Sequence, residues 1–267
     1  MFWWRERLLE PPGLRLEQGF TDREGGLSTG TRRGLNLGRS VGDDPVLVTA
    51  NRALLAQELG LPPERLIFMH QVHGADVAVV DQPWAGEPPR ADALVTRRSG
   101  LALVVLVADC TPVLLADRAA GVIGAVHAGR PGMMAGTAPA AVTAMRDLGA
   151  RDIEAVVGPS VCPRCYEVPA ELRAAAAVVT PVAASVSREG TPAIDVAGAV
   201  VEQLRGAGVR LRRWVPGCTR ESERLYSHRR DPGVGRFAGV VQLLDADAGT
   251  GSEVSGADSA GGGPAGG

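Results

Sequence analysis

The chain has 267 residues, of which 45% are hydrophobic, 22% charged and 4% aromatic, a composition typical of a soluble α/β protein of one or two domains. Its 28 basic residues, all arginine, nearly balance 30 acidic residues, so a net charge of −2 gives no general attraction to nucleic acid or to an anionic membrane. The lack of lysine also excludes mechanisms that use a lysine Schiff base.

The two ends of the chain differ in character. Residues 1–7 lack the apolar stretch of a secretory leader, so we expect a cytoplasmic protein. The best candidate for a membrane span, residues 101–116, is too short and is interrupted by Asp109 and Pro112. Residues 245–267 contain eight glycines and no aromatic residue, which predicts a disordered tail after one domain at 1–244.

The elements between these ends alternate incompletely. Apolar residues at helical spacing predict a helix over 45–60, stopped by Gly60 and Pro62. Ala-rich segments predict further helices at 136–149 and 195–206. Runs rich in β-branched residues predict strands at 65–69, 76–80, 101–107, 121–126 and 154–157, and Trp214 begins a final strand region that ends at 239–243. The pattern favours a mixed sheet over a regular doubly wound one.

Three side chains follow predicted strands and form a candidate metal site. If residues 67–73 continue a strand, His70 and His73 point to opposite faces and do not share a site. Cys110 and His127 lie side by side if their strands are neighbours joined by a short excursion over 111–120. His73 would complete a His2Cys set that suits zinc with an open fourth position. The alternatives are a buried cysteine with two hydrogen-bonded histidines, or a Cys110 nucleophile with His127 as its base.

Two further motifs carry weaker signals. Cys162 and Cys165 form a lone CxxC, and four cysteines are too few for a disulfide framework in a chain of this length. Redox chemistry and simple packing are both open readings of this pair. Arg229 and Arg230 are candidates for a phosphate or carboxylate clamp, with a surface ion pair to Asp231 as the alternative.

Taken together, the motifs resemble the YfiH/LACC1 family, whose members are also called laccase-domain proteins, multicopper polyphenol oxidases, purine nucleoside phosphorylases and, in bacteria, peptidoglycan editing factors (PgeF). The resemblance covers about residues 18–243. Its motifs are GFTDREGG at 19–26, LNLG at 35–38, VGDD at 41–44, QVHG at 71–74, ADALVT at 91–96, ADCTPVLL at 108–115, HAG at 127–129, GPS at 158–160, CYEV at 165–168, CT at 218–219 and SHRRD at 227–231.

The resemblance implies a mixed α/β fold (α+β) of the CNF1/YfiH type, with two mixed β-sheets packed between helices. It places the metal ligands on His73, Cys110 and His127, gives His70 no role, and implies Zn2+ as cofactor, with Cu2+ as the alternative. The implied activity is phosphorolysis of adenosine, inosine, guanosine or methylthioadenosine, with adenosine deamination as an accompanying activity. The alternatives are an editing hydrolase for peptidoglycan precursors that uses Cys110, a copper-dependent polyphenol oxidase, and a cytoplasmic ligand sensor without turnover.

Motif positions also suggest substrate-binding residues. Arg23, Arg229 and Arg230 are candidates for binding phosphate, and Asn36 and His228 for orienting the ribose or base. The family usually reads HAGWRG where this chain reads HAGRPG at 127–132, so Arg130 is a candidate replacement for the usual arginine. The expected partner is a small molecule, and the lack of a coiled-coil repeat favours a monomer.

Overall fold

The computed structural model describes residues 1–9 and 14–245, and this part of the chain contains thirteen strands and five α-helices. The strands are β1 (Phe2–Leu8), β2 (Leu14–Thr21), β3 (Leu66–Ile67), β4 (Val77–Val79), β5 (Ala93–Thr96), β6 (Ala102–Val107), β7 (Thr111–Asp117), β8 (Val122–Ala128), β9 (Glu154–Val157), β10 (Ala184–Val186), β11 (Pro192–Ile194), β12 (Arg210–Trp214) and β13 (Phe237–Asp245). The helices are α1 (Pro45–Leu59), α2 (Arg130–Ala135), α3 (Thr137–Asp147), α4 (Ala170–Val179) and α5 (Val196–Gly206).

Two mixed sheets form the centre of the molecule, which confirms the predicted mixed α/β fold. One sheet has five strands in the order β1-β2-β13-β6-β3, in which only β3 and β6 pair in parallel. The other has six strands in the order β12-β9-β7-β8-β5-β4, with parallel pairs at its two ends. A separate two-stranded ribbon pairs β10 with β11.

Alternation along the strands divides the core into three layers. In β6, Leu103 and Val105 face the other sheet, whereas Val104 packs beneath α1 with the opposite face. In β8, Ala125 lies between the sheets and Val126 packs against the helices on the far side. Both sheets are therefore buried on both faces, which explains why their strands appear in the sequence as continuous apolar runs.

Residues at both ends of helix α1 fix where the helix begins and ends. The Asp44 carboxylate accepts a hydrogen bond from the Val46 N–H at 2.8 Å, and Pro45 occupies the first helical position, where its missing N–H costs nothing. The helix ends at Gly60, which adopts a left-handed φ of 69°. The predicted helix at 45–60 is confirmed, as are the helices over 137–147 and 196–206.

Two predictions about strands are wrong. Residues 111–117 form the strand β7, in the middle of the six-stranded sheet, rather than an excursion. The sequence did not predict this strand because proline, here Pro112, lacks a backbone N–H and is rare in interior strands. Trp214 ends the edge strand β12 instead of beginning a strand region. The arginines of β12 hid its start, because they pair with carboxylates such as Glu154 on β9 instead of forming an apolar run.

The chain crosses from the five-stranded sheet to the six-stranded sheet at two connections, one between β3 and β4 and one between β6 and β7. These connections carry His73 and Cys110, so the sheet topology itself places both residues at the seam between the sheets. Among the described residues, no helix has both the length and the apolar character needed to cross a membrane. Apart from Asp245, the end of β13, the predicted tail lies outside the described residues.

Candidate metal centre

His73, Cys110 and His127 come together as one cluster. Their candidate ligand atoms all lie within 4.8 Å of one another. The Cys110 Sγ is 3.8 Å from the His73 Nε2, and the two imidazole rings meet edge to face with centroids 4.8 Å apart. His127 is buried and His73 exposed, so the cluster is open to solvent on the His73 side.

Cys110 and His127 meet by a different route from the predicted one. Their preceding strands β6 and β8 belong to different sheets and are not neighbours. Instead, β7 runs directly from Cys110 and forms an antiparallel hairpin with β8, in which Pro112 lies opposite His127. The hairpin brings the residue before β7 beside the end of β8, because antiparallel neighbours return the chain to the same sheet edge.

The connection that carries His73 is fixed at two points. The Gln71 side-chain amide donates to the Leu106 carbonyl at 2.7 Å and accepts the Leu106 N–H at 2.8 Å. The buried Asp92 carboxylate accepts the N–H groups of Val72, His73 and Gly74 at 3.2, 2.9 and 2.6 Å. Strand β3 ends at Ile67, so the segment up to His73 is a loop held by these bonds rather than a continued strand.

His73 and His70 have separate environments. His73 adopts a left-handed φ of 61°, which is uncommon for a residue with a side chain and which the Asp92 contacts stabilise. His70 is exposed, and its backbone pairs with Arg90. His70 therefore lies outside the cluster.

Asp92 also orients His127. The His127 Nδ1 is 2.8 Å from the Asp92 Oδ1, and both side chains are buried. This bond leaves the His127 Nε2 as the ring nitrogen available to a metal, and a carboxylate behind a ligating histidine is a common arrangement in metal sites. Sequence reasoning missed this role, although Asp92 stands within the quoted ADALVT motif.

The charges of the cluster favour a thiolate. Burial raises the pKa of the Cys110 thiol, but the positive charge of His127 and hydrogen bonds with both imidazoles outweigh burial, so that the pKa is lowered. Burial lowers the pKa of His127, whereas Cys110 and Asp92 raise it more strongly. A thiolate is the form of cysteine that binds metals and attacks electrophiles.

Two neighbouring residues shape the cluster. Asp109 adopts a φ of 93°, and its carboxylate accepts the Thr219 hydroxyl at 2.6 Å and the Arg229 N–H at 2.7 Å. Gly129 leaves room for the ligands, because a Cβ at that position would lie 2.8 Å from the His73 ring and 3.0 Å from the Cys110 Sγ. The three ligand candidates therefore fit a single ion, with two nitrogens and one sulfur as donors.

Two arginines lie near the cluster. The Arg229 backbone is tied to Asp109, and its exposed guanidinium stacks 4.6 Å from the centre of the Tyr166 ring. Burial lowers the pKa of Arg236, and the nearby charges of Cys110 and Asp109 oppose that shift. Sequence reasoning missed Arg236, which stands outside the quoted SHRRD motif.

Other predicted substrate-binding residues have hydrogen-bonding partners of their own. Asn36 is buried, and its amide contacts the Asp43 carboxylate and the backbone of Gly38 and Arg236. The Arg230 guanidinium forms the ion pair with Asp231 that was the alternative to a phosphate clamp, at 2.9 Å, and it also donates to three backbone carbonyls at 2.8 to 2.9 Å. A direct contact of either side chain with a substrate requires some of these bonds to break.

Arg23, Arg130 and His228 lie in three different settings. The Arg23 guanidinium lies over the Tyr226 ring at 4.8 Å, in a cleft of about 430 Å³ that also includes Arg33 and Arg224. Arg130 begins α2 directly after Gly129, and the following proline occupies the first turn, where its lack of an N–H is tolerated. His228 is exposed and immediately precedes Arg229.

Comparisons with known proteins agree over most of the chain. The model of a family described as multi-copper polyphenol oxidoreductase laccase matches residues 17–244. A Streptomyces coelicolor protein named purine nucleoside phosphorylase is 58% identical over 228 residues, covering 84% of this chain and 94% of the relative. A Mycobacterium tuberculosis protein with the same enzyme name is 45% identical over 232 residues, covering 86% and 93%.

Solved structures show the same fold. A Neisseria meningitidis protein assigned to DUF152 is 30% identical, with a TM-score of 0.78 over 90% of this chain and 98% of that one. YfiH from Bacillus licheniformis is 27% identical, with a TM-score of 0.79 over 90% and 99% of the two chains.

Proposed function

We propose that this chain, which belongs to the multi-copper polyphenol oxidoreductase laccase family, is a zinc-dependent purine nucleoside phosphorylase. The observation that carries the proposal is the cluster of His73, Cys110 and His127, which is open to solvent on the His73 side. The charge of Arg236 lies close enough to interact with Cys110. The enzyme names of relatives at up to 58% identity support it. The proposed substrates are adenosine, inosine, guanosine and methylthioadenosine, with adenosine deamination as a further activity.

The side chains of the cluster are suited to hold zinc. Asp92 holds the His127 ring with its Nδ1 occupied, and the lowered pKa of Cys110 favours the thiolate. Zinc held by these three residues would supply a Lewis acid with a fourth position left for a substrate oxygen or water. Copper prefers the same nitrogen and sulfur donors, so the bound metal has to be identified by measurement.

Phosphorolysis also requires cations around the attacking phosphate. A phosphate oxygen bonds to C1′ of the ribose, the bond from C1′ to the base breaks, and the base leaves with the electron pair. The Arg229 backbone is bonded to Asp109 and its side chain is exposed. The Arg236 guanidinium donates to the carbonyls of Val234 and Gly235, and it lies near enough to Cys110 and Asp109 for their negative charges to act on its pKa. We assign these two arginines to phosphate, and retain Arg130, at the start of α2, as a third cation.

The other residues predicted to bind substrate differ in how well their surroundings support a direct contact. Arg23 and Arg230 contribute to phosphate binding if their present bonds rearrange on substrate entry. For His228, the exposed side chain next to Arg229 in the sequence supports a contact with the ribose or base. For Asn36, an indirect role is better supported, since its amide orders the Arg236 backbone.

Two histidines in one loop provide a matched test. His73→Ala removes a proposed ligand, whereas His70→Ala removes an exposed imidazole three residues away that lies outside the cluster. We expect His73→Ala to lose the zinc ion of this centre and base release from inosine, and His70→Ala to retain both. Metal content is measured by mass spectrometry and hypoxanthine release by absorbance. Wild-type base release by His73→Ala would refute the proposed site.

A second candidate function is supported by the same geometry. Asp92, His127 and Cys110 form a carboxylate–imidazole–thiol series, the arrangement with which cysteine hydrolases activate a nucleophile. In this reaction the Cys110 sulfur bonds to an amide carbonyl carbon, the C–N bond breaks, and the amine leaves with a proton from His127. Water, deprotonated by His127, then attacks the Cys110 thioester, which releases the carboxylic acid and restores the thiol. The editing of a peptidoglycan precursor would be a reaction of this class.

Chelation and alkylation distinguish the two functions. Phosphorolysis that depends on zinc is lost after chelation and restored by zinc, and bound metal protects Cys110 from iodoacetamide. Hydrolysis that depends on the free thiol survives chelation and is abolished by iodoacetamide. Muropeptide cleavage by the chelated enzyme, without nucleoside phosphorolysis by the zinc form, would favour the hydrolase.

A further inference from the structure

The CxxC motif belongs to a second cluster of metal-ligating groups. Ligand atoms of Cys162, Cys165, Cys218 and Glu221 all lie within 4.8 Å of one another. The first two cysteines are brought together by a short 3-10 helix, Pro163–Cys165, in which the Cys165 N–H donates to the Cys162 carbonyl at 2.9 Å. No histidine takes part, so the cluster differs in chemistry from the cluster around Cys110.

A loop from elsewhere in the chain supplies the other two groups. Ser160 and Cys218 form a parallel backbone bridge, and the Thr219 N–H donates to the Ser160 carbonyl at 3.1 Å. A tight turn follows, in which the Glu221 N–H donates to the Cys218 carbonyl at 3.2 Å. Backbone hydrogen bonds therefore hold both the segment 162–165 and the loop 218–221 in place without a metal.

We propose that Cys162, Cys165, Cys218 and Glu221 form a structural zinc site. Three sulfurs and one carboxylate oxygen make a complete four-ligand set, as structural zinc sites require, and thiolate ligands select against magnesium and calcium. All four cysteines of the chain are free thiols. The Cys165 Sγ lies 3.3 Å from the Glu221 Oε1, so the buried thiol and the carboxylate already face each other.

The surroundings match the charge and access that such a site needs. The Cys162 N–H points at the Cys218 Sγ at 3.4 Å, and a hydrogen bond of this kind orients a ligand atom. Three thiolates and a carboxylate exceed the charge of a divalent cation, and the Arg188 guanidinium, 2.5 Å from the Glu221 carboxylate, offsets part of the excess. Glu221 is 45% exposed, which leaves a path by which the ion enters.

The proposed site would hold the loops that position Cys110. The Val161 N–H donates to the Asp109 carbonyl at 3.0 Å, and the Thr219 hydroxyl donates to the Asp109 carboxylate at 2.6 Å. Val161 precedes Cys162 and Thr219 follows Cys218, so both contacts adjoin proposed zinc ligands. A zinc ion at this site would therefore fix Asp109 from two sides.

Metal stoichiometry of the full chain tests the proposal. We expect wild type to contain two zinc ions per chain, Cys110→Ala to contain one, and a variant with both Cys162→Ser and Cys218→Ser to contain one. Glu221→Gln keeps the three sulfurs and is expected to release the second zinc to a chromophoric chelator at least tenfold more readily than wild type. One zinc in wild type and none in Cys110→Ala would overturn the proposal.

Cobalt provides a test that leaves the second cluster intact. Cys110→Ala loaded with Co2+ is expected to show the near-ultraviolet charge-transfer band of thiolate ligands and the visible bands of tetrahedral cobalt. Thiol titration of the denatured, metal-free wild type is expected to find four free thiols. A Cys110→Ala protein without these bands, or a titration that finds two thiols and hence a disulfide, would contradict the site.

Discussion

At the residue scale, the candidate metal centre depends on the three candidate ligands and also on Asp92, which orients two of them. The sequence identified His73, Cys110 and His127 because each follows a strand, and the structure brings their ligand atoms together. Asp92 could not be assigned in the same way, because its role consists of bonds to residues 19, 20 and 35 positions away along the chain. Spacing along a sequence does not report contacts of that kind.

Gly129 gives the first prediction at this scale. Gly129→Ala is expected to lower zinc affinity at least about tenfold, the effect typical of disturbed ligand orientation, because the new Cβ would press on His73 and Cys110. The fold should remain stable, since a φ of −75° suits alanine. Competition with a chelator measures the affinity. Gly206→Ala, where a Cβ meets nothing within 4 Å, is the control, and equal affinities in both variants would contradict the prediction.

The second prediction at this scale concerns Arg229. Arg229→Ala is expected to raise the KM for phosphate about 10- to 100-fold, since a hydrogen bond to a charged group contributes about 1.5–3 kcal/mol. The backbone bond to Asp109 remains, so thermal stability should change little. Steady-state kinetics with inosine at varied phosphate provide the measurement. Arg205→Ala, on the exposed face of α5, is the control, and an unchanged phosphate KM in Arg229→Ala would remove this residue from the site.

At the element scale, the hairpin of β7 and β8 is the part of the fold that the sequence concealed. The prediction joined Cys110 and His127 correctly but by the wrong strands, because Pro112 obscured β7. Hairpin pairing depends on a turn and on cross-strand contacts, whereas the sequence pattern reports only which residues are apolar. Long segments with caps, such as α1 with Asp44 and Gly60, were predicted closely because their signals are local.

The far end of this hairpin predicts a dependence on pH. Asp117 is buried, and its carboxylate accepts the N–H groups of Ala120, Arg151 and Asp152. Burial raises the pKa of Asp117, but these hydrogen bonds lower the pKa by more than burial raises it. The net result is a pKa below the usual 3.8. The unfolded chain then binds more protons than the folded one, so the carboxylate stabilises the fold above pH 3.8 and this contribution is lost as the pH falls below that value.

Asp117→Asn tests this contribution. Asparagine keeps one acceptor oxygen and carries an NH2 group in place of the other, so at least one of the three N–H groups loses its acceptor in either amide orientation. We therefore expect a loss of about 1–3 kcal/mol in the free energy of unfolding at pH 7. The difference from wild type should shrink below pH 3.8. Urea unfolding at several pH values measures it, with Asp147→Asn on the exposed side of α3 as the control. A constant difference across pH would count against the assignment.

At the scale of the whole molecule, the candidate metal centre lies where the two sheets meet. His73 and Cys110 lie on the two connections that lead from the five-stranded sheet to the six-stranded sheet, and His127 lies near the end of β8, one of the two central strands of the six-stranded sheet. The residue patterns predicted a mixed sheet and the family resemblance implied two, but neither indicated which strands belong to each sheet, because strand order depends on long-range pairing. The same limit hid the Cys218 loop, which meets the CxxC from 53 residues further along the chain.

Removal of zinc is therefore expected to lower the stability of the whole chain. Free zinc at 100 times its Kd stabilises a single site by about 2.7 kcal/mol, which corresponds to about 5–11 °C in Tm for a domain of this size. Calorimetry of the metal-free chain with and without zinc checks the shift. His73→Ala should lack the part of the shift due to this centre and His70→Ala should keep it, so equal shifts in the two variants would contradict the account.

Phosphorolysis is the proposed reaction of the candidate metal centre. The most direct measurement is the release of hypoxanthine from inosine by wild type and Cys110→Ala, with and without phosphate, together with identification of the sugar product. We predict release by wild type that requires phosphate and yields ribose 1-phosphate, and none by Cys110→Ala. Hypoxanthine release that does not depend on phosphate and yields free ribose, or undiminished release by Cys110→Ala, would contradict this proposal.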